Sequence, residues 1–184
     1  MTREQALELL DQHVKNQNLV KHMLATEVLM RGLARKFGEP AEKWGLAGLL
    51  HDIDYEETKD RPEEHSLKGY ELLKNAGVDL EICEAVKAHN HMHGIEPVTM
   101  LDKALFCSEA LTGFFVACAL VQPDKKLATV TVESALKKFK TKSFAAGANR
   151  EIILQCEPLL GMKLEELMEI CLKEMQGIAG ELGL

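Results

Sequence analysis

The stretch Trp44-Gly45-Leu46-Ala47-Gly48-Leu49-Leu50-His51-Asp52-Ile53-Asp54 decides how the rest of the chain is read. From Trp44 to Leu50 it is almost continuously small or apolar, which fits a short helix buried on most sides. Pro40 stands ahead of it, where a first helical residue can be proline. Two side chains able to bind a metal, His51 and Asp52, then arrive at its carboxyl end. Adjacent helical residues point about 100° apart, so one site can use both only where the helix stops, and termination after Ile53 makes that feasible. A purely structural role has little use for such a pair.

Helical periodicity extends outward from this segment in both directions. Thr2 followed by Gln5 has capping-box form, and Ala6, Leu9, Leu10 and Val14 recur at helical spacing, predicting a helix from about Arg3 to about Gln17. Asn18 is the expected cap of a second helix, whose apolar positions Val20, Met23, Leu24, Val28, Leu29 and Leu33 lead to Phe37 and a stop at Gly38, with His22 in the first turn. Asp54 to Pro62 reads as a polar loop. Pro62 and Glu63 open a helix with His65 at its start, Asn75 to Gly77 stop it, and Asp79 caps the next, which His89 ends. After a loop from His91 to Pro97, a long apolar helix from about Val98 to about Leu120 carries one conspicuous acid, Glu109, among Leu105, Phe106, Leu111, Phe114 and Phe115. That helix should be central. Gln122-Pro123-Asp124 break it, a basic run at Lys137, Lys138, Lys140 and Lys142 follows, and amphipathic helices from about Asn149 and about Lys163 finish the sequence.

Composition agrees with an all-α fold. The 184 residues are 46% hydrophobic but only 5% aromatic, and runs of alternating β-branched residues are missing, so helices are favoured over strands. This length suits a single compact helical bundle spanning 1–184, with a motif-bearing core at about 19–121 and a helical extension at about 122–184. A formal charge of -7 repels a polyanion and argues against a nucleic acid polymer as partner. Cys83, Cys107, Cys118, Cys156 and Cys171 form no CxxC pair and read as reduced core residues. The first residues lack a basic-then-apolar signal pattern, and the most apolar stretch, Ala110 to Val121, is short for a bilayer, so a cytoplasmic protein off the membrane is expected.

The histidines fall near helix ends or in loops beside acids rather than on solvated faces. Imidazole and carboxylate donors without thiolate suit a divalent transition metal such as Fe, Mn, Co, Ni or Zn, and one shared carboxylate can hold two ions. Taken singly, His22 could be structural and His65 a solvated first-turn residue. His89 competes with His91 and His93 and is preferred because it closes a helix. Glu109 could pair with Lys103, but an acid among Phe and Leu is costly to bury, and metal coordination offsets that cost. Asp54, His91 and His93 are candidates for protonating a leaving group. Lys138, Lys142 and Arg150 could bind substrate phosphates, although such basic runs are commonly solvated faces.

With its first histidine on one helix, a His-Asp doublet on the next and an acid on a later apolar helix, the chain resembles the HD superfamily of metal-dependent phosphohydrolases. The resemblance spans roughly His22 to Val121. It implies His22, His51, Asp52 and Glu109 around one ion, and Asp52, His65 and His89 around a second, as in dinuclear members such as the symmetrical diadenosine tetraphosphate hydrolase branch. Two departures stand out. Ser108-Glu109 replaces the usual Ala-Asp, and Ile53-Asp54 follows the doublet where the cyclic-dinucleotide branch has Ile-Gly-Lys, which argues against that activity. The expected function is metal-dependent hydrolysis of a phosphate ester or anhydride in a nucleotide or other small phosphorylated metabolite, with Asp52 bridging; a homo-oligomer is compatible with it. Two alternatives stay open: a di-iron oxygenase with a similar ligand set, and a non-catalytic nucleotide-binding module.

Overall fold

A computed structural model describes every residue from Met1 to Leu184, and it is helical throughout, without strands. Six helices build the part that carries the motif: α1 (Arg3–His13), α2 (Gln17–Phe37), α3 (Ala41–Leu50), the single turn α4 (Tyr55–Thr58), α5 (Leu67–Asn75) and α6 (Leu80–His89). A 3-10 turn at His91–His93 leads to α7 (Met100–Leu120). Beyond it come a second 3-10 turn (Leu127–Thr129), α8 (Val132–Phe139), α9 (Arg150–Ile153), α10 (Cys156–Leu160), α11 (Leu164–Gly177) and α12 (Ala179–Leu182).

The boundaries follow local chemistry, and several differ from the periodicity reading by a few residues. α1 stops at His13, because Val14 is extended while its N–H still bonds to Leu10. The cap of α2 is Asn16, whose side chain accepts from the Asn18 N–H, so the helix begins two residues before Leu19. Pro40 is the cap residue of α3 rather than its first helical residue. The expected helix at Pro62 starts only at Leu67, since Pro62 to Ser66 form turns and Ser66 has φ +70°. Thr131 and Ser134 form a capping box that opens α8, a helix the basic residues had masked in the sequence.

α7 is the axis of the fold. It packs against α2, α3, α6 and the C-terminal helices α8 to α11. Leu101, Leu105, Leu111, Phe114 and Phe115 are all buried, and Phe114 meets Phe115, Phe139 and Phe144 edge to face. By length and hydropathy α7 could cross a bilayer, being longer than the apolar stretch from Ala110, but 56% of its most apolar window is buried inside the protein. One continuous hydrophobic cluster runs from Ala6 to Leu182, so residues 122–184 share the core of the motif-bearing helices. All five cysteines are free and buried within it.

The contact that positions the site is the crossing of α2 and α3. A Cβ placed on Gly48 would lie 2.6 Å from the Thr26 carbonyl oxygen and 2.9 Å from the Glu27 nitrogen, both backbone atoms. Only glycine lets the two helices approach this closely. The same crossing is pinned by ion pairs: buried Glu27 accepts from Arg3 of α1 and from Arg31, and Arg31 also grips Glu42 of α3. His22 and His51 are thereby brought together, ring edge against ring face.

Candidate metal centre

Four histidine side chains converge on one carboxylate. His22 projects from the second turn of α2, His51 and Asp52 from the turns that end α3, His65 from the turn before α5, and His89 from the last residue of α6. Asp52 Oδ2 lies 3.5 Å from His22 Nε2 and 3.4 Å from His51 Nε2. Its Oδ1 lies 3.3 Å from His65 Nε2 and 3.5 Å from His89 Nε2. The donors fall into two trios sharing Asp52, His22-His51-Asp52 and Asp52-His65-His89, with all atoms of each trio within 4.8 Å of one another.

Each imidazole is oriented through its other nitrogen. His51 Nδ1 donates to the Gly48 carbonyl at 2.8 Å, and His89 Nδ1 to the Val86 carbonyl at 2.5 Å. His65 Nδ1 donates to Asp54 Oδ1 at 3.0 Å. His22 Nδ1 meets the Thr112 hydroxyl at 3.0 Å; that hydroxyl gives its own proton to the Glu109 carbonyl, so it accepts from the ring. Each ring thus carries a proton on Nδ1 and turns Nε2 inward toward Asp52. His22 Nε2 and His51 Nε2 stand only 3.1 Å apart, an arrangement of two lone pairs that is repulsive without a cation. These donors fit a divalent transition metal: neutral imidazoles plus carboxylate, no thiolate, and a second layer that fixes every ring.

The electrostatics agree. Burial drives His51 down to about 3, against the pull of Asp52, so its ring is neutral at physiological pH. Burial would likewise lower His65, but its hydrogen bonds to Asp52 and Asp54 prevail and raise it to about 9, the mark of a position between two carboxylates that calls for positive charge. Burial alone would raise Asp52; His51 first, then His65 and His89, hold it well below the usual carboxylate range. Glu109 is raised above its ordinary value by burial, with His22 and His89 pulling the other way. Its Oε2 lies 3.7 Å from His22 Nε2, beside the first trio but outside it, and it makes no ion pair with Lys103.

The HD domain family model matches residues 19–129, a span containing His22, His51, Asp52, His65, His89 and Glu109. The chain belongs to the HD domain family. It is 28% identical over 139 residues to Ribonuclease Y of Lawsonia intracellularis, covering 74% of this chain and 26% of that protein. The match to Ribonuclease Y of Thermosipho melanesiensis is 27% over 146 residues, covering 77% and 28%, and that to Ribonuclease Y of Aquifex aeolicus is 26% over 153 residues, covering 78% and 26%. The chain therefore spans roughly a quarter of the length of these relatives. No solved structure matches it.

Within this HD domain, some residues expected to do chemistry do something else. Asp54 does not face the cleft and is no candidate for protonating a leaving group. It is buried, and it accepts from the Ser66 N–H and the Gly69 N–H, both at 2.8 Å, as well as from His65. Its work is to hold His65. An Asp54→Asn variant, which keeps the shape but loses the charge, should lower metal affinity about tenfold. In a chelator-dye competition this loss would appear while turnover at saturating metal stays near wild type; a turnover collapse at saturating metal would return Asp54 to the reaction.

Arg150 is likewise not a substrate group. Its guanidinium donates to the carbonyls of Phe144, Ala145 and Ala148 and lies over the rings of Phe114 and Phe139. It closes the loop that follows α8. Arg150→Ala should cost about 2 kcal/mol of stability through these lost bonds to carbonyls, read by denaturant titration, with KM unchanged. Lys138 and Lys142 do not line the cleft either; from the segment after α8 only Gly147 reaches it.

The three histidines at the end of α6 separate by role. His89 faces Asp52, His93 donates to the His65 carbonyl at 2.6 Å, and His91 is exposed on the cleft rim. The cleft, about 500 Å³, is also lined by Asn18, which the sequence marks only as a helix cap, and by Tyr55 and Asn90. Asn90 is informative: its amide supports the His65 carbonyl at 3.2 Å. An Asn directly after a helix-ending His was the available signal. Thr112 and the left-handed Ser66, whose hydroxyl bonds to the Lys87 carbonyl, had none, since their partners are distant in sequence.

Proposed function

We propose that this chain is a metal-dependent phosphohydrolase acting on a phosphate ester or anhydride of a nucleotide or another small metabolite, with two divalent ions sharing Asp52. The observation that carries this reading is the division of one carboxylate between two histidine pairs, His22 and His51 at Oδ2, and His65 and His89 at Oδ1. Two such ions, when bound, supply charge neutralisation for phosphoryl oxygens and a water that ionises near neutral pH. The protein's own groups do the rest. Asp52 and the four imidazoles would hold the ions, and Glu109 adds a carboxylate on the His22 side. Tyr55 gives the cleft a hydroxyl that orients substrate oxygens, and His91, free on the rim, is the imidazole available to hand a proton to the leaving oxygen.

The name of the relatives brings forward a polynucleotide as a second substrate class. Against it stand the charge of -7 and a cleft without lysine or arginine among its lining side chains, because polyanion affinity comes chiefly from clustered cations. The test begins with elemental analysis of protein purified without chelator, where about two equivalents of transition metal are expected of a bridged pair. Anaerobic phosphate release from a nucleotide panel by the Mn-, Fe- or Co-loaded protein should follow, with RNA left intact. Shortening of RNA without release of phosphate from small nucleotides would replace this reading with a nuclease, and oxygen consumption by the iron form in place of hydrolysis would replace it with dioxygen chemistry.

A further inference from the structure

Beside the metal cleft lies a second cavity of about 580 Å³ that shares His22 and Asn18 with it. α2 supplies one wall through Lys21 and Ala25, α7 another through Gly113, Val116 and Leu120, and the segment from Leu182 a third. The lining is mostly apolar, with one cation. Lys21 has no ion-pair partner, and its Nζ lies beside Gly183, 3.1 Å from where a Cβ there would stand. It adjoins His22 in sequence, and the metal cleft itself has no lysine or arginine among its lining side chains.

Gly113 is the telling residue. It sits in the interior of α7, where glycine is unfavourable relative to alanine. A Cβ added there would meet nothing within 4 Å. No neighbour therefore demands a glycine, in contrast to Gly48, yet the position is left bare one turn beyond Glu109 and next to Thr112, which holds His22. The missing side chain leaves the α7 wall of this cavity open.

We propose that this chamber seats the non-transferred part of the substrate, a flat and largely apolar group of nucleobase size, with Lys21 receiving a polar atom on it. This rests on the phosphohydrolase reading, and it makes the substrate a small monomeric phosphate ester whose phosphate lies at Asp52 and whose organic part lies along Gly113. The position is exposed and helical, so Gly113→Leu fills the chamber with a good helix former and Gly113→Ala controls for backbone effects.

The experiment is calorimetric titration of Mn-loaded wild type, Gly113→Ala, Gly113→Leu and Lys21→Met with inorganic phosphate, phenyl phosphate and adenosine 5′-monophosphate. Both esters should bind wild type at least about tenfold more tightly than phosphate, from burial of an aromatic group. Gly113→Leu should erase that advantage while leaving phosphate affinity and metal content as they were, and Gly113→Ala should keep most of it. Lys21→Met should weaken adenosine 5′-monophosphate more than phenyl phosphate. Esters that bind wild type no better than phosphate, or an advantage that survives in Gly113→Leu, would overturn the chamber's assignment. An equal loss for all three probes in Lys21→Met would overturn the role given to Lys21. Wild type that holds metal but binds no phosphate would instead overturn the phosphohydrolase reading, and this proposal with it.

Discussion

Asp52→Ala is expected to lower turnover by about a thousandfold or more, the scale of losing a group that stabilises developing charge directly, while leaving the helical fold intact. Asp52 is the one carboxylate that approaches all four inward-facing Nε2 atoms, within 3.3 to 3.5 Å. Its removal leaves the imidazoles with only Glu109, on the His22 side, to offset a pair of divalent charges, so metal content should fall together with rate. The fold should survive because Asp52 contributes nothing to the core: its side chain keeps 11% exposure, and no element is tied to another through it except by way of these rings. Circular dichroism, elemental analysis and the rate of phosphate release separate these effects. Wild-type turnover in a properly folded Asp52→Ala protein would end the bridging mechanism.

The second large effect is expected far from any ligand atom. Gly48→Ala adds one methyl group, yet that methyl would meet the Thr26 carbonyl at 2.6 Å, a backbone atom that can yield only if α2 as a whole moves. Overpacking of this kind costs about 2–3 kcal/mol, which for a chain of this size lowers Tm by roughly 5–10 °C. Because Gly48 also supplies the carbonyl that orients His51, the displacement should pull the His22 and His51 rings apart and weaken the first trio in particular. The expected signature is a lower Tm in the presence of chelator together with loss of about half the bound metal. A variant with wild-type Tm and full metal content would show that the crossing tolerates the extra carbon and that α2 does not set the spacing.

Much of this was legible in the sequence, and for identifiable reasons. The helices of the motif were readable because their apolar residues repeat at helical spacing and because Asp79 and Gly38 punctuate them. The candidate ligand positions His22, His51, Asp52, His65 and His89, which the fold gathers around one carboxylate, were readable because polar side chains able to bind a metal interrupt apolar runs or end helices, where burial would otherwise be costly. What stayed hidden depended on long-range contacts. Asp54 has the same local appearance as a loop acid, and only the fold turns it toward the amides of Ser66 and Gly69. Arg150 looks like a surface cation until the loop after α8 wraps its carbonyls around it. Lys21 sits next to His22 in sequence on an otherwise ordinary polar face, and only its position beside α7 and Gly183 marks it out.

The anchoring of every imidazole through Nδ1 has a kinetic consequence. Two rings are aimed by main-chain carbonyls of their own helices, one by Asp54 and one by Thr112, so folding itself erects the cage and the incoming ion has nothing left to organise. An ion that bound here would then enter a standing cleft, and its exchange for another would be governed by how slowly it leaves. The identity of the metal carried by a given molecule would accordingly record which ion arrived first and stayed longest, a history that the chain's own refolding does not rewrite until the helices themselves come apart.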